Sequence, residues 1–92
     1  MQTTLTITVK IIYEKESADA SYVAYSPELD VASAGPTESI ARKNLKEAIN
    51  LVLEGAKKDG NLEEFLEEVG FSKEKGEFKA PKIRTEKVPL PV

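Results

Sequence analysis

An α+β fold of order β-β-β-α-α-β, a mostly antiparallel sheet with helices on one face, is predicted by three observations. Apolar and polar residues alternate from Thr3 to Tyr13. Two short β-type runs follow after brief links. Apolar residues then recur at three- and four-residue spacing from Ile40 to Ala56. Consecutive strands joined by short links pair antiparallel by default, and helices that come after strands layer onto one sheet face. At 92 residues, one domain spanning 1–92 is expected, because a chain of this size supports a single simple core.

The first strand is expected over Thr3 to Tyr13, with Leu5, Ile7, Val9, Ile11 and Tyr13 on a buried face and Thr4, Thr6, Thr8 and Lys10 on the other. Ile12 breaks the polar side and is either exposed or covered by a partner. Glu14 to Ser21 is charged and rich in small residues, a hairpin connection into a second strand at Tyr22 to Ser26, which Pro27 ends. A third strand runs from Val31 to Ala34 and closes at Gly35-Pro36. Thr37 is the N-cap of the main helix, with Glu38 favourably placed at the positive end of its dipole. Its apolar stripe is Ile40, Ala41, Leu45, Ala48, Ile49, Val52 and Ala56, while Leu51 and Leu53 either contact the next element or lie at a subunit contact. Asn61, with Glu64 as its reciprocal capping-box partner, starts a second, short helix whose stripe is Leu62, Phe65, Leu66 and Val69. Gly70-Phe71 ends that helix with a left-handed residue and a hydrophobic contact. The segment around Gly76 is a polar turn. Phe78 to Val88 is a candidate last strand, at an edge because Pro81 lacks an N–H, and the proline-punctuated end of the chain is extended.

Composition removes most chemistry. There is no Cys and no His, so thiol nucleophiles, imidazole acid–base catalysis and zinc sites built on those ligands are excluded. The remaining candidates are weak. Glu28 and Asp30 would share one side of an extended backbone and could hold a divalent ion, but a third ligand is missing, and acids around a strand-ending proline are the plainer account. Gly35 lacks the companions of a phosphate-binding loop. Neither a metal nor a cofactor is expected. No basic-then-apolar leader and no long apolar run is present, which leaves a cytoplasmic protein without membrane attachment as the expectation.

Charge is segregated along the chain. The net charge is −3, yet Asp59, Glu63, Glu64, Glu67 and Glu68 fall within 59–70, where no basic residue occurs, and Lys73, Lys75, Lys79, Lys82, Arg84 and Lys87 follow. The short helix therefore presents an acidic face that could attract a basic protein, or is simply solvated. Its carboxylates lack calcium-loop spacing, and the interrupted basic run in an acidic chain is a poor footprint for nucleic acid.

The run YVAYSPELDVASAGPTESIARKNLKEAINLVLE, from Tyr22 to Glu54, resembles the HicB family of antitoxins. Its aromatic strand (Tyr22, Tyr25), the Pro27-Glu28-Leu29 step, the small-residue strand Ser33 to Gly35, Thr37, and Asn44-x-x-Glu47-Ala48 stand in the family's order, and the likeness spans nearly the whole chain. The resemblance implies a partial ribonuclease-H-like fold without catalytic acids. It further implies a binding module that neutralises HicA, a small mRNA-cleaving toxin with a double-stranded-RNA-binding-like fold. The sequence departs from the family where Ile40 stands in place of an acid that would reciprocate the threonine cap. It also has no room for the family's C-terminal DNA-binding domain, so direct operator binding is not expected. Tyr22, Tyr25, Glu63, Glu64, Glu67 and Glu68 are the candidate partner-binding residues, and none is fixed by motif. An orphan adaptor or ligand-binding module of the same fold is the alternative, since fold does not determine function. Sheet edges in need of protection make a homodimer or homotetramer the expected assembly.

Overall fold

The computed structural model describes residues 4–91. Its elements are β1 (Lys10–Tyr13), β2 (Tyr22–Ser26), β3 (Val31–Gly35), α1 (Glu38–Lys58), α2 (Leu62–Glu68), β4 (Ser72–Glu74) and β5 (Glu77–Lys79). The α+β class and the β-β-β-α-α-β order are as predicted, with the final β element realised as a two-stranded hairpin. β1, β2 and β3 form an antiparallel meander in that spatial order, with Ile11 opposite Ala24 and Ala24 opposite Ser33.

Side chains of a strand alternate between faces, so one sheet face carries Ile11, Tyr22, Ala24, Ser26, Val31 and Ser33. This is the face that α1 covers, and Ala24 and Ser26 are fully buried beneath it. From the helix come Ala41, Leu45 and Ile49, at spacings of four residues; Leu29, Leu66 and Phe71 complete the core. The other face, with Lys10, Ile12, Val23, Tyr25, Ala32 and Ala34, has no helix over it among the described residues.

The helix boundaries have local causes. Thr37 is the N-cap of α1, its hydroxyl accepting from the Ile40 N–H at 3.1 Å. Both helices stop in the same way: Gly60 and Gly70 adopt positive φ (77° and 101°). The Asn61 and Gly60 N–H groups return to the Ala56 and Lys57 carbonyls, as those of Phe71 and Gly70 do to Leu66 and Glu67. These are paired 6→1 and 5→2 closures, and they satisfy the last carbonyls of each helix. Phe71, 2% exposed, supplies the expected hydrophobic contact.

Several expectations are corrected. Regular pairing of the first strand covers only Lys10–Tyr13; Thr3 lies outside the described residues, and 4–9 carries no strand although Leu5, Ile7 and Val9 pack against the core. The cause is the length of β2: in this register Thr8 would oppose Pro27, which lies in a turn, so no ladder partner remains. Asn61 makes no side-chain capping bond, so the capping box is absent. Ile40 and Val52 are 41% and 37% exposed at the margins of the α1 stripe, Leu51 is 71% exposed, and Leu53 packs against the core. The last strand ends at Lys79 and pairs with β4, because Lys75 and Gly76 both take positive φ (51° and 81°), the geometry of a two-residue type I′ hairpin turn. Residues 80–91 carry no regular element.

Candidate functional site

The residues of the Tyr22–Ala48 run have definite structural positions. Leu29 is 5% exposed and fills the core beneath the turn that Pro27 begins. Gly35 is buried where β3 meets α1; a Cβ there would lie 2.8 Å from the Ile40 Cγ2 and 2.9 Å from the Ala41 nitrogen, closer than real contacts allow. Only glycine lets the strand approach the first turn of α1 so closely. Asn44 donates from Nδ2 to the Ala34 carbonyl at 2.9 Å, tying the middle of α1 to the last strand of the meander. Glu47 is exposed and Ala48 half-buried on the same helix.

Glu28 and Asp30 do not form a ligand pair. Residues 27–30 form a turn with Asp30 at φ 54°, which sends the two carboxylates to different partners. Glu28 reaches back to the first strand: both its oxygens accept from the Thr8 N–H at 3.0 Å, and Oε2 also accepts from the Thr8 hydroxyl. The buried Ser26 hydroxyl donates to Oε1 at 3.4 Å. A carboxylate thus receives the Thr8 N–H just beyond the end of the β1–β2 ladder, where residues 27–30 leave the strand for a turn. Burial pushes the Glu28 carboxyl up, while hydrogen bonds from Thr8, its own backbone and Ser26 together outweigh that effect and hold it below its ordinary range. Asp30 accepts from the Tyr25 hydroxyl at 2.8 Å, and this bond, with desolvation and the Asp30 charge, raises the Tyr25 phenol above its usual value.

The six partner-binding candidates fall into separate patches. Tyr22 and Tyr25 are three residues apart on β2 and so project from opposite faces: Tyr22 packs toward the core beside Tyr13 (ring centroids 5.1 Å apart), and Tyr25 lies on the uncovered face. Glu63, Glu64, Glu67 and Glu68 are exposed on α2, which packs on α1 and β4 rather than on β2. Glu63 is paired with Lys73 at 2.7 Å, and no ion pair is made by the other three among the described residues.

An apolar cavity of about 330 Å³ opens between Leu5, Leu53, Leu62, Leu66 and Phe78, with the Glu63–Lys73 pair at its rim. Sequence reasoning missed it because its walls come from four separate segments; the signal present was Leu53, set outside the main stripe of its helix. Among the described residues no group of three or more acidic side chains converges as a metal site, and no helix is long and apolar enough to cross a membrane. Compared with family models, with curated proteins and with solved structures, the chain matches none.

Proposed function

We propose that the chain is a non-catalytic, cytoplasmic antitoxin-like protein of HicB type, working as a homodimer or homotetramer, that binds and neutralises a HicA-type mRNA-cleaving toxin. The observation that supports this reading most directly is the Tyr22–Glu54 run. Its resemblance to the HicB signature is matched by a compact unit in which Leu29, Gly35, Thr37 and Asn44 each have a structural task. On this reading the unit acts through its surfaces, because neutralisation needs only surface complementarity. An RNA-cleaving toxin must carry a basic surface for phosphate, and the exposed carboxylates of Glu64, Glu67 and Glu68 offer it a counter-charge.

Binding is measured between the purified chain and a HicA-type toxin while salt is varied. Reversing Glu63, Glu64, Glu67 and Glu68 to lysine is expected to weaken the complex by about tenfold or more and to flatten its salt dependence. Unchanged affinity and salt slope would sink the acidic-face contact, and no complex at all would sink the antitoxin reading. The alternative, a ligand-binding module of the same fold, is favoured by one specific feature, the apolar cavity beneath α2. In that case Leu53→Trp abolishes ligand uptake, and the unmodified chain forms no complex with a HicA-type toxin.

A further inference from the structure

β1 is an edge strand. Its register with β2, together with the 2.6 Å bond from the Glu14 N–H to the Ser21 carbonyl, fixes which backbone groups face inward. Lys10, Ile12 and Glu14 face β2, so by the alternation of an antiparallel ladder the N–H and C=O of Ile11 and Tyr13 point away from the sheet. No described strand receives them. Exposed strand edges are templates for another strand, and soluble proteins ordinarily cover or blunt them.

The same chain carries a segment with the opposite deficiency. Pro81 packs against Gly70, and from Lys82 onward every described residue is exposed, including Ile83 (55%), Val88 (78%) and Leu90 (80%). Backbone hydrogen bonds outside the regular elements all end by Phe71, so 82–91 makes none to the described chain. Pro89 and Pro91 bias Val88 and Leu90 toward extended backbone, while 82–88, KIRTEKV, is free of proline and carries the β-branched residues Ile83, Thr85 and Val88. Seven residues match the length of an ordinary strand.

We propose that residues 82–88 of one copy add as a strand to the β1 edge of a second copy, reciprocally, so that the chain is a two-fold exchanged dimer. The occupant is a second copy because the surplus strand and the strand-deficient edge belong to one sequence, and a two-fold axis satisfies both deficiencies twice with one contact. Arg84, Glu86 and Lys87 keep the added strand polar, which terminates the sheet and stops further growth. The inference does not depend on the toxin-binding reading.

Light scattering on the full chain is expected to give twice the chain mass. Thr85→Pro and Glu86→Pro test the backbone contact: neighbouring residues of a strand point their N–H groups to opposite sides, so one of the two removes a ladder donor in any register. That variant is expected to raise the dimer dissociation constant by about tenfold or more with unchanged circular dichroism. A chain ending at Pro81, which keeps Ala80 and Pro81 on the body, is expected to be monomeric with unchanged circular dichroism. The proposal is overturned by a monomer at millimolar concentration, by a dimer that survives the Pro81 truncation, or by slow exchange of the Ile11 and Tyr13 amides in a monomer, which would place the strand within its own chain.

Discussion

The meander with α1 and the stretch from α2 onward are built on different principles. In the first, Ala24, Leu29, Ala41, Leu45 and Ile49 form one contiguous layer between sheet and helix, and Asn44 and Gly35 fix the spacing. In the second, Leu66 and Phe71 are the buried apolar residues, β4 and β5 are three residues each, and an apolar cavity remains beneath α2. Seven residues are too few for a self-supporting helix, so α2 exists by docking. A small chain can therefore hold a rigid half and a lightly attached half, and the lightly attached half carries most of the segregated charge.

The sharpest way to break this contrast is to empty the rigid layer. Leu45 is fully buried at its centre, and Leu45→Ala is expected to cost about 2–5 kcal/mol in denaturant unfolding. A loss no larger than that of Leu62→Ala, on the half-buried flank of α2, would show that the halves do not differ. Gly35→Ala comes next: its Cβ meets the Ala41 backbone, which cannot swing aside, and about 1–3 kcal/mol of destabilisation is expected. A neutral result would mean that β3 and α1 separate readily.

Glu28 gives a smaller effect with a pH signature. Its folded pKa lies below the ordinary carboxylate value, so its contribution is present above the unfolded pKa and is lost as pH falls through the folded one. Glu28→Gln is expected to cost about 1–2 kcal/mol at neutral pH and to reduce the acid-side slope of stability, because the Thr8 N–H loses a charged acceptor. Equal slopes in both proteins would remove Glu28 as the cause. The smallest effect belongs to the outer half: Lys73→Ala breaks an ion pair whose side chains are 44% and 61% exposed, and the expected change is about 0–1 kcal/mol, vanishing in high salt.

The rigid half was the legible half. β2 and α1 follow from local signals, alternation ended by a proline and an apolar stripe begun by a threonine cap, and local signals survive folding unchanged. Thr8 and Glu28 were separately visible, but nothing local pairs residues twenty apart; only the register of β1 on β2, which sets Thr8 against Pro27, brings them together. The segment around Gly76 reads as a polar turn without its type, because lysine at positive φ is unusual and the glycine alone does not specify a two-residue hairpin turn. Tyr22 and Tyr25 stand together among the sequence candidates, but their odd spacing on a strand sets them on opposite faces.

The corner between the two helices also has a mechanical meaning. Asp59, Gly60 and Asn61 join α1 to α2, and all three N–H groups are bonded to carbonyls of the last α1 turn, at Gly55, Lys57 and Ala56. Such a joint transmits torque instead of absorbing it. A protein that gripped α2 would therefore bear directly on the C-terminal end of α1, a helix seated on the sheet through Ala41, Leu45 and Ile49.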